Sequence, residues 1–280
     1  MKISFLSSAW FIGAFLLLTS VLILACRAKG QKDTNLFYSP SFEKGVYLKM
    51  SFHNTSDRLA YRILFPEHFD PAKKHPVLLF LHGAGERGND NTAQLIHGGD
   101  LIKHKMNQLG GIAIFPQCPE DDYWIEIRET DNKANGIRNF EPNTEKVSKS
   151  LGHVIQLVEK FSTQDFVDPN RIYVAGLSMG GMGTFDLCWR MPNTFAAASA
   201  ICGAGSTEKA KEFSQLPLRI YHGEDDVVVS VEESKEMIRA LRSSGGNPEV
   251  FLYPGVNHNS WDNAFSEPDF IEWMFEKVRK

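Results

Sequence analysis

The sequence predicts a three-layer α/β domain, with a mostly parallel central sheet, helices on both faces and antiparallel strands at the N-terminal edge. Three observations carry this reading. Strand-like and helix-like runs alternate from about residue 77 to the end. Several strand runs, such as Val77-Leu78-Leu79-Phe80-Leu81, are apolar throughout, as strands buried on both faces are. One run, Ile172-Tyr173-Val174-Ala175, opens into Gly176-Leu177-Ser178-Met179-Gly180 ahead of a helix-compatible stretch at 184–190.

The N-terminal segment stands apart from that domain. In residues 1–25 the only charged side chain is Lys2, and 5–25 is mostly apolar. This is the pattern of an export signal. Its end, Ile23-Leu24-Ala25-Cys26, resembles a bacterial lipobox in which Cys26 becomes lipidated, although Leu24 stands where a small residue is more usual. About 20 apolar residues also suffice for an uncleaved membrane anchor. Plain secretion is the third reading; each places the rest of the chain outside the cytoplasm, with a lipid-anchored envelope location preferred. Residues 26–45 are polar and irregular and read as a tether to a domain at 46–280.

Within the domain, 46–52 and 59–65 alternate as two strands around a polar turn. A loop with three prolines leads to the buried strand at 77–81, a partly helical stretch at 95–109 and a second buried strand at 112–115, closed by Pro116. The apolar positions Val147, Leu151, Val154, Ile155, Val158 and Phe161 are spaced for one helix face. Asp168-Pro169-Asn170 turns the chain into the strand that feeds Ser178. Further strands are expected at 195–201, 218–221 and 250–253. A helix at 230–241 opens on the capping pair Ser230 and Glu233, and a closing helix covers 271–278. Residues 117–143 have room for only a small excursion.

Composition narrows the function. A hydrophobic content of 42% supports one large core, and a net charge of −4 without a basic stripe argues against a nucleic-acid partner. Four cysteines do not make a disulfide scaffold in 280 residues; Cys188 and Cys202 read as small buried hydrophobes.

Gly-x-Ser-x-Gly between a strand and a helix is the pattern of a nucleophile elbow, which lifts a serine hydroxyl above the sheet. Such a serine needs a base, and the base an orienting acid. In this architecture they follow in the order acid, then His, on later strand-end loops. His258 lies after the 250–253 strand. Asp226 lies after the 218–221 strand and is preferred to its neighbour Asp225, because Val227-Val228-Val229 fits a return to the sheet. The oxyanion needs two backbone N–H donors. Met179 supplies one, and the glycine-rich loop His82-Gly83-Ala84-Gly85 the other, through Ala84 or, as the close alternative, Gly85. His82 and His222 read as shaping their glycine loops. Glu86 and Arg87 are candidates to pair with each other. Asp121-Asp122 lacks the companions a metal site needs.

The stretches 79–90, Pro116-Gln117-Cys118-Pro119, Gly176 to Gly181 and Tyr253 to His258 resemble, in order, one branch of the α/β-hydrolases. It is the phospholipase/carboxylesterase or predicted-peptidase branch, akin to polyhydroxybutyrate depolymerases and feruloyl esterases. The likeness spans about residues 46–280. It implies a Ser-His-Asp hydrolase of small or polysaccharide-linked esters, without metal or organic cofactor, and aromatic side chains near the substrate, here Trp124 and Trp261. Two other functions compete: a peptidase acting on short peptides, and a surface binding module that has lost catalysis.

Overall fold

The computed structural model describes residues 37–54, 57–128 and 141–279. The chain divides into two units, 1–41 and 42–280. The expected export segment, Cys26 and the tether up to residue 36 lie outside the described residues. Among the described residues no helix is long and apolar enough to cross a membrane.

The second unit opens with β1 (Tyr47–His53) and β2 (Arg58–Leu64), an antiparallel pair in register from Tyr47 opposite Leu64 to His53 opposite Arg58. β3 (His75–Leu81) is buried at every position, as its unbroken apolar run requires. Helix α1 (Gly99–Leu109) leads to β4 (Ile112–Gln117). This strand continues through Pro116 rather than ending there: pairing with β3 stops at Ile114, so the missing proline N–H interrupts no ladder on that side. The expected excursion holds a two-stranded pair, β5 (Ile127–Arg128) and β6 (Glu141–Pro142), and residues 129–140 lie outside the described residues.

Helix α2 (Lys149–Ser162) starts later than its apolar spacing suggests, because Ser148 caps it by accepting a hydrogen bond from the Leu151 N–H; Val147 is left exposed. β7 (Val167–Leu177) contains the expected 168–170 turn as an irregularity, His75 pairing with Val167 and Val77 with Ile172. Then follow α3 (Met179–Arg190), β8 (Ala197–Ile201), the single turn α4 (Ala210–Phe213) and β9 (Leu218–Gly223). Helix α5 (Val231–Ser243) has Ser230 as its N-cap, its hydroxyl accepting from the Glu232 N–H. β10 (Glu249–Tyr253), α6 (Trp261–Ser266) and the short α7 (Glu272–Phe275) complete the unit.

The large sheet runs β1-β2-β4-β3-β7-β8-β9-β10, antiparallel in its first three strands and parallel from β4 onward. From β3 the chain moves one way to β4 and later returns on the other side to β7. Loops leaving these two strands therefore diverge, opening the crevice where such sheets gather ligands. The loop after β3 carries His82-Gly83-Ala84, and the one after β7 carries Ser178.

Candidate active site

Ser178 sits between β7 and α3 with φ 53° and ψ −118°, a conformation rare for a residue with a side chain. Neighbouring strands hold it there. The Ser178 N–H donates to the Ile201 carbonyl at the end of β8 (2.8 Å), and a Cβ on Gly180 would overlap the Leu81 and His82 carbonyls. That close approach explains why α3 starts at Met179, five residues before the stretch with ordinary helix propensity. Backbone packing against β3 outweighs the cost of glycine in a first turn.

Ser178 Oγ lies 2.8 Å from His258 Nε2, and His258 Nδ1 lies 2.7 Å from Asp226 Oδ2. An ionised carboxylate only accepts, so Nδ1 carries the ring proton and Nε2 is free to accept the serine hydroxyl. Asp226 is buried and Asp225 exposed. Burial alone would raise the Asp226 pKa. Hydrogen bonds from His222 and His258 and from the Val229 and Val228 N–H groups outweigh it and hold the carboxyl well below the usual carboxylate range. Asn257 Oδ1 ties the loops together, accepting from the His258 and Val227 N–H groups at 2.7 and 3.2 Å.

His222 was legible only as a loop-shaping residue, and it does more. Fully buried, it places Nε2 3.2 Å from Asp226 Oδ2 and 2.9 Å from the Val229 carbonyl. Its Nδ1 accepts from Ser234 Oγ at 2.7 Å. His82 does shape the β3 loop. Its Nε2 accepts from the Cys118 N–H (3.0 Å), so Nδ1 donates to the Gly83 carbonyl (2.6 Å), and burial lowers its pKa to about 4.

The two expected oxyanion donors are both first residues of helical turns, Met179 of α3 and Ala84 of a 3-10 turn over Ala84–Glu86. First-turn N–H groups have no partner within their helix and point outward along its axis. The loop comes close to the nucleophile: a Cβ on Gly83 would stand 3.6 Å from Ser178 Cβ.

Ser178 and His258 line a cavity of about 560 Å³ together with Gly83, Ala84, Met182 and Trp261. Trp261 packs edge-on against His258, ring centroids 5.6 Å apart. Trp124 does not line it. It is wholly buried, donating Nε1–H to the His82 carbonyl (3.0 Å) behind the loop, and the preceding Tyr123 faces the cavity instead. Glu86 and Arg87 do not pair. Arg87 Nε donates to the Ala84 carbonyl and its guanidinium lies over the Tyr123 ring, while Glu86 faces His97, Oε1 to Nε2 3.5 Å.

Asp122 accepts from the Ser150 N–H and hydroxyl at 2.8 and 2.6 Å. Among the described residues, the group whose potential metal-ligand atoms converge, within 4.8 Å, is Cys202, Asp226 and His258; the latter two are committed to the hydrogen-bonded chain. Cys118, Cys188 and Cys202 are free and buried.

A serine on a strained strand-to-helix elbow, at the crevice of a mostly parallel eight-stranded sheet with an antiparallel edge, defines an α/β-hydrolase. The chain belongs to the phospholipase/carboxylesterase family, which it matches over residues 69–272, and is a hydrolase of the carboxylesterase or thioesterase type. It is 22% identical to the carboxylesterase SOBER1 of Arabidopsis thaliana, over 72% of this chain and 90% of that one. It is 30% identical to a poly(3-hydroxybutyrate) depolymerase of Ralstonia pickettii, over 52% of this chain and 29% of the other. The crystal structure of a thermostable esterase superposes with a TM-score of 0.72 and 32% identity, over 83% of this chain; the match spans 63% of that structure's length.

Proposed function

We propose that this protein is an exported serine hydrolase that cleaves carboxylic esters through an acyl-enzyme intermediate. The observation that carries the proposal is the continuous chain from Ser178 Oγ through His258 to Asp226, with links of 2.8 and 2.7 Å, at the wall of an open cavity. Ser178 Oγ attacks the ester carbonyl as His258 Nε2 takes its proton. Negative charge on the carbonyl oxygen is met by the Ala84 and Met179 N–H groups. Collapse of the tetrahedral species breaks the bond to the alcohol, whose oxygen receives the proton from His258. Water then attacks the acyl carbon as the same nitrogen takes its proton; the bond to Ser178 Oγ breaks, His258 returns the proton to Oγ, and the acid leaves. Asp226 stays ionised throughout and stabilises the imidazolium.

Turnover of p-nitrophenyl acetate by the parent, lost in Ser178→Ala, tests the reading. Cleavage of peptidyl amides at rates comparable to esters would support a peptidase instead. Export rests on residues 1–25 and lipidation on Cys26. Palmitate labelling of the parent in a bacterial host, absent in Cys26→Ser, supports the lipid anchor; labelling that persists argues against it.

A further inference from the structure

Among the described residues, Glu86 is the one carboxylate lining the cavity that holds Ser178, and no described lysine or arginine lines it. Its side chain is only 10% exposed, and the group facing it, His97 Nε2, stands at 3.5 Å, beyond ordinary N–H···O hydrogen-bond length. A carboxylate withdrawn from water and this loosely matched is costly for the protein alone, but well placed to accept from a ligand.

The pair lies close to the chemistry and is held there. A Cβ on Gly83 would stand 3.0 Å from Glu86 Oε2 and 3.6 Å from Ser178 Cβ, so the carboxylate and the serine flank the same glycine. His97 precedes Gly98, whose φ of +82° favours glycine and whose missing side chain leaves room for the Phe265 ring. Trp261 links the two parts of the cavity, its ring centroid 5.0 Å from that of His97 and 5.6 Å from that of His258. An alcohol that takes its proton from His258 Nε2 leaves beside the Trp261 ring, whose other neighbour is His97. Met182, Val227, Val228 and Val229 give the cavity an apolar side.

From this asymmetry we infer that Glu86 and His97 form a subsite for a hydroxyl group on the alcohol portion of the ester, two or three bonds from the ester oxygen. The substrates it selects are esters of polyhydroxylated alcohols, the hydroxyl donating to Glu86 and accepting from His97. A hydroxyl fits better than an ammonium group, because it alone can use both the carboxylate and an imidazole N–H. The inference rests on the ester-hydrolase reading of Ser178.

The test compares kcat/KM for 2-hydroxyethyl acetate and propyl acetate, which share an acyl group and chain length and differ in the terminal hydroxyl. The parent is expected to favour the hydroxylated ester about tenfold, the discrimination one hydrogen bond to a buried charge provides. Glu86→Met and His97→Phe, each close in shape and unable to make the bond, are expected to bring the ratio near one. Two variants on different segments keep the test intact should one fail to fold. A parent that hydrolyses both esters without preference, or variants that keep the preference, overturns the subsite and leaves the ester reading standing. A parent that hydrolyses neither ester overturns both.

Discussion

His222 and His258 share one oxygen of Asp226: Oδ2 lies 3.2 Å from His222 Nε2 and 2.7 Å from His258 Nδ1. One carboxylate thus orients the imidazole that faces Ser178 and is itself oriented by a second imidazole that solvent does not reach. His222 is a positioning residue. Replacing it with Leu is expected to lower kcat for p-nitrophenyl acetate about ten- to a hundredfold with little change in KM. His222→Gln, which keeps a side-chain N–H donor, should recover part of the loss. A Gln variant as impaired as Leu would reduce His222 to a packing role.

Asp225 and Asp226 separate cleanly. Asp226→Asn removes the acceptor that fixes the His258 tautomer and is expected to lower kcat about 10⁴-fold. Asp225→Asn changes an exposed side chain and should stay near the parent value. A larger loss in Asp225→Asn would reassign the acid.

Acid should destabilise the protein through His82. Its pKa lies near 6.5 when unfolded and about 4 when folded, because burial disfavours the charged ring. Between those values the unfolded chain binds more protons, so stability falls as pH falls through that window. The expected loss from pH 7 to pH 5 is about 2 kcal/mol, read from urea midpoints. His82→Gln should have the shallower pH dependence, although its stability at pH 7 is lower. Equal slopes would contradict the assignment.

The elbow should tolerate no side chain at Gly180, where a Cβ meets the Leu81 carbonyl. Gly180→Ala is expected to lose about 3 kcal/mol or fail to fold. Gly85→Ala, with no heavy atom within 4 Å of its Cβ position, should stay within about 1 kcal/mol of the parent. Thermal melts distinguish the two.

The sheet and the convergence of Ser178, Asp226 and His258 were legible because each of these residues follows an apolar strand run, and strand ends in such a sheet point the same way. Other features were hidden for physical reasons. The start of α3 at Met179 depends on contacts between backbones, which helix propensity does not register. Tyr123 rather than Trp124 faces the cavity because that segment is irregular and has no period to set its phase. Glu86 faces His97 rather than its neighbour Arg87 because Arg87 is drawn to the Ala84 carbonyl and the Tyr123 ring. The role of His222 depends on how the segment after β9 folds back over its ring, bringing Asp226, Val229 and Ser234 onto it, and a loop has no period that announces such contacts.

The central claim is that Ser178 carries the acyl group. Mixing the protein with p-nitrophenyl acetate, quenching in acid within the first turnovers and mapping the peptides by mass spectrometry tests it directly. The account predicts one acetyl group on the peptide containing Ser178, and none on that peptide in Ser178→Ala. Turnover without a Ser178 adduct in the parent, or normal turnover by Ser178→Ala, would contradict it.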